Sequence, residues 1–140
     1  MAGTTGDRRL CRSTCACSTA SRTASCGTAG RCIVDGTVRE GDRLAGFEVV
    51  DLPGHAPGLI GLWRERDRVA LVSDCFYMTD MHGKPQPPRI PLDAYNLDTA
   101  QARRAIRKLA GLRPAVVCPG HLGPLTGTDV VAQLEAAAAA

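Results

Sequence analysis

The sequence predicts one domain of mixed α/β class, preceded by a leader that does not fold. A chain of 140 residues with 44% hydrophobic content is long enough for a single compact core. From residue 33 onward, short apolar runs of strand type alternate with turns and are followed by two stretches of helical period. All five aromatic residues lie between positions 47 and 95. The folded part is therefore expected to start near residue 33.

Residues 1–32 are predicted to be a disordered or non-native leader, and residues 33–140 the domain. The leader has no aromatic residue, and its only large aliphatic side chains are Met1 and Leu10. Too little apolar surface is available to offset an ordering cost of about 1–2 kcal/mol per residue. The leader also holds five of the seven cysteines, at spacings that match no paired C-x-x-C motif: Cys11, Cys15, Cys17, Cys26 and Cys32.

The distribution of charge and hydropathy excludes several classes of function. The leader carries five arginines against the single Asp7, but it has no lysine and no aromatic side chain to stack on a base. This pattern argues against nucleic-acid binding. No apolar run approaches the roughly 18 residues needed to cross a bilayer, and no apolar stretch follows the N-terminal arginines. The expectation is a cytoplasmic protein that does not bind a membrane.

Within the domain, four short runs predict strands and two longer stretches predict helices. The strands are expected at residues 47–52, 59–63, 69–73 and 115–118, with a charged hairpin tip between the second and third. Apolar residues recur at helical spacing over 98–110, with Asp98 or Thr99 as cap and Gly111 as stop. Residues 128–140 predict a second helix, frayed in its last five alanines. Residues 78–91 contain four prolines and predict a surface loop.

Three of the predicted strands are followed by a residue that can bind a metal ion. His55 follows the first strand, Asp74 the third and His121 the fourth. Both histidines stand in the tripeptide Pro-Gly-His, in which proline fixes the direction of the chain and glycine permits conformations closed to other residues. Each residue alone is more often structural, but together they supply imidazole and carboxylate ligands. The pattern predicts a metal site at one edge of the sheet.

These segments resemble those of the metallo-β-lactamase-fold hydrolases. Residues 52–58, Leu-Pro-Gly-His-Ala-Pro-Gly, are similar to that family's T-P-G-H-[ST]-P-G segment, with leucine and alanine replacing the usual Thr and Ser or Thr. Residues 72–74, Val-Ser-Asp, are similar to its strand ending in [TS]-G-D, and residues 119–121 match its P-G-H segment. The resemblance covers residues 33 to about 127.

The resemblance implies an αββα sandwich, of which this chain supplies the C-terminal half. It implies that His55 is a ligand of a first metal, that Asp74 bridges two metals as the central catalytic residue, and that His121 is a ligand of the second. In that family two metal ions activate a water molecule. This water attacks the carbonyl of a small ester, thioester, lactone or amide. The metal expected for this chain is zinc, with iron or manganese as alternatives. Tyr77 is a candidate for substrate contact or oxyanion support, the alternative being a partly buried aromatic residue on a loop.

One feature of the family's pattern is missing from the sequence. The H-x-H-x-D-H motif implied by the resemblance should precede His55, yet no histidine lies upstream of it. The third histidine, His82, falls in the proline-rich segment and is predicted to be a surface residue. The chain is therefore expected to be a truncated hydrolase that holds one metal or none and is weak or inactive.

Two alternatives from other classes remain open at this stage. In the first, the half-sandwich is a non-catalytic interaction module that pairs its exposed apolar sheet face with a second copy or another partner. In the second, the chain acts as a redox or zinc-binding protein through its cysteine-rich leader. A metal titration separates the three hypotheses, since only the hydrolase reading places the ligands at His55, Asp74 and His121.

Overall fold

A six-stranded mixed sheet carries the candidate residues at one edge. The computed structural model describes residues 8–11 and 34–140. The sheet has the order β10-β9-β6-β5-β4-β3, and its neighbouring strands are antiparallel except for the parallel pair β6 and β9. Its strands are β3 (Arg43–Leu44), β4 (Phe47–Asp51), β5 (Ile60–Arg64), β6 (Val69–Ser73), β9 (Val116–Pro119) and β10 (Leu125–Thr126).

The four predicted strands correspond to the centre of this sheet. β4, β5, β6 and β9 agree with the predicted runs to within one residue at each end. A short 3₁₀ turn, Glu65–Asp67, joins β5 to β6 and forms the charged hairpin tip that the sequence predicts. The mixed α/β class predicted from the sequence is therefore confirmed.

Helix α1 (Thr99–Gly111) covers one face of the sheet. Its N-terminus is capped by Asp98, whose carboxylate accepts a hydrogen bond from the Gln101 backbone N–H at 2.8 Å. The helix buries a stripe of apolar side chains at helical spacing against the sheet. The resulting core contains Val50, Leu52, Trp63, Val72, Phe76, Ala105, Ile106, Leu109, Val117 and Leu134, among others.

Helix α2 (Val130–Ala139) packs against α1 and extends the core. The prediction that its last five alanines fray is wrong, because Ala137 and Ala138 are buried. The Ala138 carbonyl accepts hydrogen bonds from the guanidinium groups of Arg103 and Arg107, at 3.3 and 3.2 Å. These cations hold the C-terminal turn in place, where a helix favours positive charge. In the described ranges, no helix combines the length and the hydropathy required to cross a membrane.

The segment after β6 forms a hairpin rather than the predicted loop. Strands β7 (Tyr77–Thr79) and β8 (Pro85–Arg89) pair in antiparallel fashion. The tip is closed by Asp80, whose Oδ1 accepts hydrogen bonds from the backbone N–H groups of His82 and Lys84 at 2.8 and 2.9 Å. Proline cannot donate to a strand ladder, but β8 has only one neighbour and tolerates it. His82 is exposed at this tip, as predicted.

A separate two-stranded sheet lies at the start of the described chain. Strand β1 (Arg8–Cys11) pairs in antiparallel fashion with β2 (Val34–Val38), with Arg8 opposite Val38. These four residues of the predicted leader thus form a strand that the sequence did not indicate. Residues 1–7 and 12–33 lie outside the described ranges, so the disorder of the leader and the boundary at 32/33 stay predictions.

The face of the sheet opposite α1 remains partly open. Leu62, Leu71 and Cys118 are register neighbours on β5, β6 and β9, so their side chains share this face. Leu71 exposes 37% of its surface, whereas Leu62 and Cys118 are half-buried. In the described part of the chain, three neighbouring apolar side chains thus lie on the face of the sheet away from α1. Its pairing with a second copy stays a prediction.

Candidate metal centre

The fold brings the three predicted ligand residues to the same end of the sheet. β4, β6 and β9 run in the same direction, and His55, Asp74 and His121 follow their carboxyl ends. The Nε2 atom of His121 lies 3.3 Å from Oδ1 of Asp74, and the Nε2 atom of His55 lies 3.9 Å from Oδ2 of the same carboxylate. Asp74 therefore stands between the two imidazoles.

The arrangement consists of two imidazole–carboxylate pairs that share one carboxylate. Each oxygen of Asp74 faces a different histidine. Among the described residues, no group of three His, Cys, Asp or Glu side chains could hold a single metal ion. The observed geometry is that of one carboxylate whose two oxygens lie near two different imidazoles.

The two ring nitrogens of His55 have different surroundings. Its Nε2 atom faces the Asp74 carboxylate, whereas its Nδ1 atom is buried and has no hydrogen-bond partner among the described residues. A buried polar atom is normally hydrogen-bonded, and leaving one unsatisfied costs about 1–3 kcal/mol. The imidazole and carboxylate donors also match the ligands that zinc, iron and manganese accept.

The first Pro-Gly-His turn is seated against the N-terminus of α1. Gly54 has a φ of +131°, and its carbonyl accepts hydrogen bonds from the backbone N–H groups of Leu97 and Asp98 at 2.9 and 3.0 Å. A Cβ atom at this position would lie 2.2 Å from the backbone nitrogen of Ala102. Only glycine fits, and the close approach fixes the turn that presents His55.

The second turn is held directly against Asp74. The Gly120 backbone N–H donates to the Ser73 carbonyl at 2.7 Å, and a Cβ on Gly120 would lie 2.7 Å from Oδ1 of Asp74. Ser73 itself has a φ of +46°, a left-handed conformation that favours glycine. This backbone conformation explains in physical terms why the [TS]-G-D pattern has glycine where this chain has serine.

Tyr77 lies between the two histidines. Its ring makes edge contacts with both imidazoles, with centroids 6.0 Å from His55 and 5.2 Å from His121. Burial raises the pKa of Tyr77, and the negative charge of Asp74 and the neighbouring Tyr95 raise it further. The hydroxyl is therefore protonated at neutral pH and available as a hydrogen-bond donor.

A pocket of 290 Å³ opens beside His121 and Tyr77. Its walls come mainly from the β7–β8 hairpin and the segment that follows: Thr79, Asp80, Met81, Arg89, Leu92 and Tyr95. Sequence reasoning did not single out Arg89, because the prolines of residues 78–91 indicated a loop, and it did not single out Tyr95, which follows that segment. The turn-forming residues Asp80 and Gly83, which lie between the segments that form β7 and β8, could have indicated the hairpin.

Cys75, which follows Asp74 directly, is not a usable thiolate. Its side chain is buried, and that burial raises its pKa to about 12. Metal ligation and nucleophilic attack both require the thiolate form. The imidazoles and the carboxylate are thus the groups at this edge with the chemistry of a metal site.

Comparisons with known proteins relate this chain to one family. The sequence model of the Metallo-beta-lactamase superfamily matches residues 34–121. "Probable metallo-hydrolase YflN" of Bacillus subtilis (strain 168) is 36% identical over 83 residues, which are 55% of this chain and 31% of YflN. "Probable metallo-hydrolase YqjP" of the same strain is 30% identical over 100 residues, which are 68% of this chain and 31% of YqjP.

A solved structure shows the same relationship. The metallo-beta-lactamase family protein TTHA1429 from Thermus thermophilus superposes with a TM-score of 0.54 and 30% identity, over 73% of this chain and 33% of TTHA1429. The chain thus spans about a third of the length of each of these three proteins. Because the family model matches residues 34–121, which are more than half of the chain, the chain belongs to the metallo-beta-lactamase superfamily.

Proposed function

We propose that His55, Asp74 and His121 are this chain's contribution to a two-metal hydrolytic centre. The observation that carries the proposal is the carboxylate of Asp74, whose two oxygens face two different imidazoles at 3.3 and 3.9 Å. The substrate class is a small molecule with a hydrolysable carbonyl: an ester, thioester, lactone or amide. Zinc is the metal proposed first, and iron or manganese suits the same donors.

The side chains around the centre have separate roles in such a reaction. Metal ions at this position would supply Lewis acidity and lower the pKa of a bound water. Asp74 holds the two positions together, because it is the residue that faces both histidines. Tyr77 contacts both imidazoles through its ring edges and offers its hydroxyl as a donor to an oxygen that gains negative charge.

The ligand count limits the activity of the chain on its own. Among the described residues, each metal position receives one imidazole and one carboxylate oxygen, whereas catalytic zinc sites use three protein ligands. One ion could recruit all three residues only if the two Pro-Gly-His turns moved together. The seating of Gly54 against Ala102 resists that movement. We therefore expect weak metal binding and slow hydrolysis.

An ester hydrolysis assay tests this proposal. We expect slow turnover of p-nitrophenyl acetate in the presence of zinc or manganese, above the rate of the metal ion alone. Turnover should be lost when the metal is removed and in the His121→Ala variant. His82→Ala is the matched control, because it removes the exposed histidine at the hairpin tip. Equal rates for His121→Ala and the native chain would contradict the assignment, and robust turnover would contradict the expected weakness.

A further inference from the structure

Arg89 is a half-buried cation without a partner in the described part of the chain. It stands at the end of β8 directly opposite Tyr77 in the hairpin register. Its guanidinium forms no hydrogen bond or ion pair with any residue of the described range 36–140, whereas other arginines of the domain, such as Arg64 and Arg68, do. A cation that is partly withdrawn from water gains from an anionic partner, and no described residue supplies one to Arg89.

The pocket beside Arg89 has room for an anionic partner. Arg89 and His121 both line the 290 Å³ pocket, so the cation and one imidazole of the proposed metal centre face the same space. Tyr77, Tyr95, Met81 and Leu92 supply aromatic and apolar walls. The acidic residue in the lining, Asp80, already accepts the two backbone hydrogen bonds that close the hairpin tip.

We propose that Arg89 binds a carboxylate group of the substrate, an inference that rests on the proposed hydrolytic function. A guanidinium matches the two oxygens of a carboxylate with two parallel N–H donors. In this arrangement the apolar part of the molecule would lie along Tyr77 and Tyr95, with the scissile carbonyl towards His121. The pocket volume is at the small end of the roughly 300–1,000 Å³ typical of ligand sites. The substrate class is thus a small ester, thioester, lactone or amide that also carries a free carboxylate.

A pair of matched probes tests this site without turnover. 4-Phenylbutanoate and 4-phenylbutanamide have nearly the same shape and differ in charge, and their binding to the metal-free chain is measured by calorimetry. We expect the native chain to bind the carboxylate about ten-fold or more tightly than the amide. Arg89→Gln should abolish this preference and Arg89→Lys should retain part of it. Equal binding of the two probes by the native chain, or an unchanged preference in Arg89→Gln, would overturn the proposal.

Two further variants separate the pocket from the metal centre. Arg66→Gln removes an exposed arginine from the β5–β6 turn, at the opposite end of the sheet, and should keep the native preference. Asp74→Ala removes the shared carboxylate, a negative charge 3.3 Å from the His121 imidazole in the pocket wall, and should keep or strengthen the preference, because the probe is held by Arg89. Loss of the preference in Asp74→Ala would overturn the role of Arg89. If the native chain prefers the carboxylate probe but does not hydrolyse the ester, the result supports carboxylate binding by Arg89 and contradicts the hydrolytic function. The failure of one proposal can therefore be distinguished from the failure of the other.

Discussion

Replacement of Gly54 by alanine is expected to lower the free energy of unfolding by about 3–5 kcal/mol. The φ of +131° is unfavourable for any side chain, and the new Cβ would lie 2.2 and 2.4 Å from the backbone nitrogen and Cα of Ala102. Backbone atoms cannot move aside as a flexible side chain does, so either α1 or the Pro-Gly-His turn must shift. Domains of this size are stable by about 5–15 kcal/mol, so the loss is a large fraction of the total.

Urea unfolding followed by the fluorescence of Trp63 measures this effect, since this is the single tryptophan and it is buried in the core. Gly83→Ala is the matched control, because Gly83 also has a positive φ of +76° but has no atom within 4 Å of the added Cβ. We expect about 1 kcal/mol for this control, from conformational strain alone. Equal losses for the two variants would show that the contact with α1 does not fix the turn.

Replacement of Asp74 by alanine is expected to abolish metal binding by the domain. Asp74 is the group that faces both His55 and His121, and without it each position keeps a single imidazole. Manganese is the appropriate probe, because it prefers oxygen ligands to the thiolates that the leader cysteines could supply. The electron paramagnetic resonance signal of free manganese falls as the ion binds.

Addition of the native chain should lower the signal of free manganese, with weak binding that reaches saturation. Addition of the Asp74→Ala variant should leave the signal unchanged. Glu135→Ala serves as the control, because it removes an exposed carboxylate on α2, away from the sheet edge. Manganese binding that persists in Asp74→Ala would place the ligands elsewhere in the chain.

Local sequence patterns predict the parts of this fold that bury an apolar face. β6 has an alternating pattern with Ala70 and Val72 on the buried side, and α1 has a helical stripe ending near Gly111. The two-residue strands β3 and β10 are too short to show a period. The β7–β8 hairpin was missed because three prolines occupy β8, where a strand with one neighbour accepts them.

The candidate site also has a part that the sequence predicts and a part that depends on the tertiary structure. His55, Asp74 and His121 are predictable because each follows a strand, and parallel strands end at the same edge of a sheet. Arg89 and Tyr95 enter the site through the hairpin and the segment after it, so their position depends on tertiary structure. The contact of Gly54 with Ala102 is likewise invisible in the sequence, which shows only a glycine before a histidine.

The central claim is that the Asp74 carboxylate joins two separate half-sites, each of which consists of one histidine and one carboxylate oxygen. A zinc titration followed by the NMR signals of the imidazoles tests this claim most directly. The chain has three histidines, so His55, His121 and the exposed His82 give three assignable signals, with His82 as an internal reference. The titration is made on a variant in which the five leader cysteines are serine, which removes competing thiolates. We predict that the His55 and His121 signals both shift, that neither reaches its end point at one equivalent of zinc, and that His82 does not follow them. If both signals instead reached their end points together at one equivalent, a single ion would hold all three residues, and the account of two half-sites would be wrong.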